Sequence, residues 1–312
     1  MDINTIKELT SKIVLESRKR LVGYDENITL ILASLYSNGH ILLEGNPGIA
    51  KTFASKTLAD ILGMEFGRVQ FTPDLMPSDI TGVNVFNQKT LEFEYLQGPV
   101  FTNFLLCDEI NRAPPKTQAA LLEAMQERQI SVEGDSKVLP DPFLVIATQN
   151  PLEHQGVYNL PEAQIDRFLI RLIIDLPDKQ TEFELLRLKD KYRDRDVDTL
   201  CNTKIIKEIQ EKILEVEISE EVTKYIIDIV HATRDNSNIE VPASPRASLA
   251  LMNLGKSISA MKGRDYVQPD DVKSIAFHVL NHRIGLSHEA ELDRITPKEV
   301  IDNLLKDVEV TI

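Results

Sequence analysis

HILLEGNPGIAKTFASKTLADILG, residues 40–63, changes character twice within a short span. A mainly apolar run from His40 to Leu43 is bounded by Gly39 and Gly45, as suits a strand buried on both faces of a parallel sheet. The turn EGNPGIAKT occupies residues 44–52, and TFASKTLADILG then follows helical periodicity until Gly63 closes it. A strand, a glycine-bearing turn and a helix in that order gather backbone N–H groups and the positive end of the helix around one point. Such a junction is an anion cradle, suited above all to phosphate. Gly45, Asn46, Pro47, Gly48, Ile49 and Ala50 would line it, with Lys51 reaching the β- and γ-phosphates and the Thr52 hydroxyl ligating Mg²⁺. The segment departs from G-x-x-x-x-G-K-[ST] at Ala50, which gives up the free access to positive φ that a second glycine has. Taken alone, the stretch also reads as a plain strand–turn–helix junction that begins with a lysine.

A second motif argues against that plainer reading. In FLLCDEINRA, residues 104–113, four apolar residues run directly into Asp108 and Glu109. Ending a buried strand in two carboxylates is costly unless they meet a cation or a reacting group. Asp108 suits the shell of a Mg²⁺ ion, and Glu109 suits polarisation of an attacking water.

Outward from these motifs the strand–helix rhythm continues. Strands are expected at 68–71, 104–107 and 143–147. The helix KTQAALLEAMQE stands between the last two, behind Pro114 and Pro115. Two hairpins are expected, one pairing 82–86 with 91–95 around NQKT and one pairing 129–133 with 137–139 around GDS. Ile6, Leu9, Ile13 and then Ile28, Leu32, Leu35 recur at helical spacing on either side of Gly23. After RLIIDLP, ended by Pro177, the pattern is almost wholly helical, with the charged stretch KDKYRDRDVD at 189–198 as a solvated face or linker. The expected fold is α/β: a parallel sheet flanked by helices over residues 1–177, then a small all-helical domain over 178–312.

Composition bounds the function. The 312 residues are 42% hydrophobic and 27% charged, enough apolar material for a sizeable core. Lys and Arg number 35 against 49 Asp and Glu, a formal charge of −14 that repels phosphate backbones and anionic lipid. Nucleic acid is therefore not the expected partner. Cys107 and Cys201 cannot build a disulfide framework or a four-thiolate zinc site, which fits a reducing compartment. The opening residues lack an apolar signal core, and the longest apolar run, near residues 28–36, is too short to span a bilayer. A cytoplasmic protein without membrane association is expected.

GNPGIAKT, LLCDEINRAPPKTQAALLEAMQE, ATQNP, LPEAQIDRF and ASPRA together resemble the AAA+ ATPases, and most closely their MoxR branch. The resemblance runs in order from about residue 22 to residue 284, and that branch usually carries alanine before the P-loop lysine. It implies a three-layer ATPase domain with a helical lid, ATP and Mg²⁺ as cofactors, and assembly into homo-oligomeric rings, commonly hexamers. It also implies remodelling of protein clients, often ones with a von Willebrand A-type domain, to mature an enzyme or mount a metal. Asn150 matches the sensor-1 amide that bonds the γ-phosphate or lytic water, though Asn-Pro alone reads as a turn. Arg167 matches the arginine finger offered to a neighbouring subunit; a surface salt bridge with Glu162 or Asp166 is the simpler alternative. Arg246 matches sensor 2, with Ser244 as N-cap and Pro245 at the first helical position. Val22 and Gly23 stand where the family lets backbone meet adenine. The two hairpins resemble the helix-2 insert and the pre-sensor-1 hairpin.

Three functional readings follow: an ATP-driven remodelling motor, a nucleotide-gated scaffold with little turnover, and a nucleic-acid motor. Glu109, Asn150 and Arg167 together favour the first, and the acidic charge opposes the third. Some residues earn no role at this stage. His278 and His282, one helical turn apart, lack a third zinc ligand. Cys107 reads as a core hydrophobe, and for Arg112 action across a subunit interface is not separable from packing before a helix.

Overall fold

The computed structural model describes residues 1–46, 51–132, 134–150, 156–191 and 196–310. Two helices open the chain, α1 (Ile3–Ser17) and α2 (Asp25–Tyr36). The Asp2 side chain caps α1 by accepting from the Thr5 N–H. Then come β1 (Ile41–Gly45), α3 (Lys51–Leu62), β2 (Phe66–Gln70), α4 (Pro77–Thr81) and a hairpin of β3 (Gly82–Asn87) and β4 (Glu92–Gln97). β5 (Phe104–Asp108) leads through a short 3-10 turn to α5 (Pro115–Glu127), a second hairpin of β6 (Gln129–Val132) and β7 (Asp135–Val138), and β8 (Leu144–Gln149). A single helical turn, α6 (Glu162–Ile165), precedes β9 (Ile170–Ile174).

β2, β5, β8, β1 and β9 form one sheet in that order, and every pairing in it is parallel. Alternate side chains along each strand feed opposite faces. Ile41, Leu43, Leu106 and Ile146 join the apolar cluster that contains α1, α2 and α3 residues. Leu42, Leu105, Cys107 and Val145 join a second cluster with Leu121, Leu122 and Met125 of α5. This is the three-layer arrangement that runs of buried β-branched and aliphatic residues dictate.

Both hairpins form beside the sheet rather than in it. Gly82 opens the first at φ +104, and a Cβ there would stand 2.4 Å from the Leu96 carbonyl oxygen, so no other residue fits the corner. This hairpin leaves Leu91, Phe93 and Leu96 exposed, with Phe86 and Phe93 packed edge to face. Lys137 of the second hairpin lies over the Tyr95 ring at 4.4 Å, tying the two together.

The remaining helices are α7 (Lys179–Lys191), α8 (Thr203–Leu214), α9 (Glu220–Ala232), α10 (Pro245–Met261), α11 (Pro269–Leu280), α12 (His288–Leu292) and α13 (Pro297–Asp307). A two-stranded ribbon, β10 (Ile239–Val241) with β11 (Gly285–Leu286), adds strand pairing to a region whose sequence reads as helical. Its strands have three and two residues, too short to show a period of two. Ser244 caps α10 by accepting from the Arg246 N–H, with Pro245 in the first turn, as the sequence suggests. The apolar cluster of α1 and α2 continues into α8, α9, α10 and α11 through Ile206, Ile209, Tyr225, Leu251 and Ile275. Among the described residues, no helix is long and apolar enough to cross a membrane.

Candidate active site

The C-terminal edge of the sheet collects the polar groups that the apolar strands deliver. β1 ends at Gly45, followed by Asn46; Pro47, Gly48, Ile49 and Ala50 lie outside the described residues. Lys51 and Thr52 are the first described residues of α3, toward the positive end of its dipole. Lys51 Nζ donates to the Gly45 carbonyl at 2.6 Å, across the base of the expected cradle. Partial burial lowers the pKa of the Lys51 ammonium, while the charges of Asp108, Glu109 and Glu44 act in the opposite direction.

β5 continues its ladder one residue beyond its apolar run, so that Asp108 is its buried last residue, and Glu109 starts the turn behind it. The Thr52 hydroxyl donates to Asp108 Oδ2 at 3.4 Å, which brings the two expected metal ligands together. The Thr148 hydroxyl donates to Asp108 Oδ1 at 3.3 Å and accepts the Glu109 N–H at 3.0 Å. Glu109 adopts φ 58 and ψ 51, a left-handed conformation that costs a non-glycine residue about 1–2 kcal/mol. The Thr148 bond and the Arg112 N–H to Glu109 carbonyl bond, at 2.9 Å, hold it there. A hydroxyl and a carboxylate are the hard oxygen donors that Mg²⁺ takes, so Thr52 and Asp108 fit that ion.

Several neighbours were not singled out by the sequence. Arg68 Nε donates to Asp108 Oδ2 at 2.7 Å. Gln70 Nε2 donates to Glu109 Oε2 at 2.6 Å, and Arg112 Nε lies 3.1 Å from the same oxygen. Arg68 and Gln70 are two residues apart on β2, which is an edge strand, and so share one of its faces. Their alternation was the available signal: two polar side chains at a spacing of two in an otherwise ordinary strand. Arg112, ambiguous from sequence, is placed here as a partner of Glu109.

Asn150 directly follows β8, whose Gln149 is in register with Glu44 of β1, so Asn150 lies beside the start of the cradle. Gly23 has φ +76, and a Cβ on it would meet Thr181 Cγ2 at 2.7 Å. Gly23 therefore packs against the first turn of α7, with no room for a side chain there, and Val22 is the residue just before it.

Arg167 and Arg246 lie in a second group. Asp166 accepts from Arg283 Nε at 2.8 Å and lies 3.5 Å from Arg246 Nη1. Among the described residues, Asp166 and Glu162 make no ion pair with Arg167, whose side chain is exposed. The salt-bridge alternative for Arg167 thus loses Asp166 to the lid arginines. Arg283 is almost fully buried and also donates to the carbonyls of Asp166, Phe168, Leu169 and Val279. His282 meets the Phe168 carbonyl at 3.2 Å, and the Asn281 amide donates to the Arg171 carbonyl. His282 is thereby a docking residue between helices and sheet. Burial pushes the Cys107 thiol well above its usual range, in keeping with a core position.

Comparison with known proteins places this chain among relatives. The model of the ATPase family associated with various cellular activities (AAA) matches residues 40–170, and the AAA lid domain matches 231–304. The chain is 42% identical to Chaperone MoxR1 of Mycobacterium tuberculosis, over 95% of this chain and 80% of that protein. It is likewise 42% identical to the YeaC protein of Bacillus subtilis, over 97% and 95%. A crystal structure from Cytophaga hutchinsonii, of a protein assigned as an ATPase, superposes with a TM-score of 0.92. The two share 40% identity over 99% of this chain and 97% of that one.

Proposed function

The chain belongs to the MoxR branch of the AAA+ ATPases, and on that premise we propose that it hydrolyses ATP with Mg²⁺ in a homo-oligomeric ring, commonly a hexamer, to remodel protein clients. The observation that carries this reading is the meeting of Lys51, Thr52, Asp108 and Glu109 at one edge of the sheet, with Arg167 exposed elsewhere on the same chain. Residues 1–177 form the nucleotide-bearing part in this reading, and residues 178–312 the lid.

ATP supplies the scissile anhydride, and the metal supplies charge neutralisation at its phosphates. The chain's own groups do the rest. Lys51 leaves the Gly45 carbonyl to face the β- and γ-phosphates. Thr52 and Asp108 would hold the metal, and Glu109 would accept the proton of the attacking water. Asn150 positions that water or the γ-phosphate without adding charge. Val22 and Gly23 meet the adenine at the α7 seam. Arg246 lies on the lid, where exchanging Asp166 for a phosphate would couple lid posture to nucleotide. Clients of the von Willebrand A type fit this branch, and the exposed apolar side chains of the first hairpin offer them a surface. The net charge of −14 opposes the nucleic-acid alternative.

One observation favours the low-turnover alternative. Glu109 is held by Gln70 and Arg112, so it is not free to act as a base until those contacts change.

The test is subunit mixing. Arg167→Ala keeps its own cradle, and Lys51→Ala keeps its own finger. Each alone should fall about 10³-fold or more in ATPase rate. In an equimolar random ring about a quarter of interfaces pair an intact cradle with an intact arginine, so mixing should restore a measurable rate. Absence of recovery, with ring formation shown by sedimentation, would sink the trans role of Arg167.

A further inference from the structure

The carboxylate assigned to the metal already has a cation on it. Arg68 Nε is 2.7 Å from Asp108 Oδ2, the same oxygen that receives the Thr52 hydroxyl at 3.4 Å. The other oxygen, Oδ1, is taken by Thr148. Asp108 is buried, whereas the Arg68 side chain is 49% exposed, so the arginine can swing to solvent and the aspartate cannot move away from it.

Arg68 has a second contact on the same face. Its Nη2 donates to Gln70 Oε1 at 3.4 Å, and the Gln70 amide nitrogen donates to Glu109 Oε2 at 2.6 Å. The guanidinium therefore fixes which way the Gln70 amide points, oxygen toward Arg68 and nitrogen toward Glu109. A continuous path, Asp108 to Arg68 to Gln70 to Glu109, joins the carboxylate that holds the metal to the carboxylate that handles the water.

We propose that Arg68 is a counter-ion that a divalent cation must displace from Asp108, so that metal binding undoes the bond network restraining Glu109. This rests on the reading that Thr52 and Asp108 hold Mg²⁺. The charge logic is simple. With Arg68 Nε and the Thr52 hydroxyl both donating to Oδ2, the two lone-pair sites of that oxygen are filled, and two cations within a few ångström of one buried carboxylate repel each other. Once Arg68 leaves, Gln70 loses the partner that orients it. Arg68 is thus a positioning residue, acting on Glu109 through Gln70.

Full-length protein would be titrated with Mg²⁺ while binding of a fluorescent ADP analogue is followed, and compared with binding in EDTA. Arg68→Ala should lower the half-saturating Mg²⁺ concentration roughly three- to fivefold, the range expected for a half-exposed ion pair. Binding in EDTA gives the metal-free baseline against which the Mg²⁺ response of each variant is read. Arg68→Lys, which keeps the charge, should stay near the parental Mg²⁺ half-point. An unchanged or higher half-point in Arg68→Ala would overturn the proposal. Arg68→Gln carries the same criterion if the alanine variant fails to fold. Asp108→Asn separates the two levels. Loss of the Mg²⁺ response in that variant, with no shift in Arg68→Ala, leaves the site reading intact and removes only the Arg68 role. A parental chain whose nucleotide binding ignores Mg²⁺ overturns both.

Discussion

His40 makes acid sensitivity of this fold calculable. It stands just before β1 with its ring buried against Phe143, edge to face at 5.6 Å. The Val145 N–H donates to Nδ1 at 3.0 Å, so Nδ1 carries no proton, and Nε2–H donates to the Met125 carbonyl at 3.0 Å. A proton on Nδ1 would face a backbone donor. Burial, with the Arg128 charge adding to it, lowers the ring's pKa from 6.5 to about 3. The folded state thus holds His40 neutral while the unfolded chain protonates it near 6.5. The stabilisation is complete above pH 6.5 and is lost as pH falls from there toward 3. Between pH 7 and pH 5 the loss is about 2 kcal/mol from this one ring. Urea unfolding followed by circular dichroism at the two pH values measures it. His40→Asn keeps an acceptor for the Val145 N–H and cannot titrate in this range. It should be less stable at pH 7, having lost the Met125 bond, yet should lose about 2 kcal/mol less than the parent on moving to pH 5. Equal losses in parent and variant would refute the assignment of a neutral buried His40. His278 and His282, both lowered by burial, add to the parental slope in the same direction and are common to both chains.

Two further outcomes test the site and its support. Lys51→Ala should lose nucleotide affinity along with activity, whereas Glu109→Gln should bind ATP as the parent does and turn it over about 10²–10⁴-fold more slowly, read by equilibrium binding and single-turnover hydrolysis. Arg283→Met should cost about 3 kcal/mol in urea unfolding, because it leaves Asp166 and four backbone carbonyls without their buried donor.

Local sequence carried the sheet because its strands are written in contiguous residues. An apolar run beside glycine marks β1, and the same run into two carboxylates marks β5. The ends of strands were less legible. β8 extends through Thr148 and Gln149 because its ladder with β1 continues to Glu44, a constraint set by the neighbouring strand and not by hydropathy. The Ser244 cap of α10 was readable from four residues, but the partner of Arg246, Asp166, lies 80 residues away. Arg283 and Asp166 are 117 residues apart, and no periodicity encodes such a pair. Arg68 and Gln70 gained their meaning only when the register of β2 against β5 placed Gln70 opposite Asp108.

Asp166 and Arg167 share a peptide bond but answer to different masters. The first is gripped by two arginines of the lid, and the second stands exposed. In a ring of the proposed kind, a lid that tilted would drag Asp166, and the very next side chain would be the one offered to the adjoining chain. Timing between successive sites would then need no separate relay loop. The posture of one chain's lid would set the phase at which its neighbour fires, and the order of events around the ring would be a mechanical property of a single dipeptide.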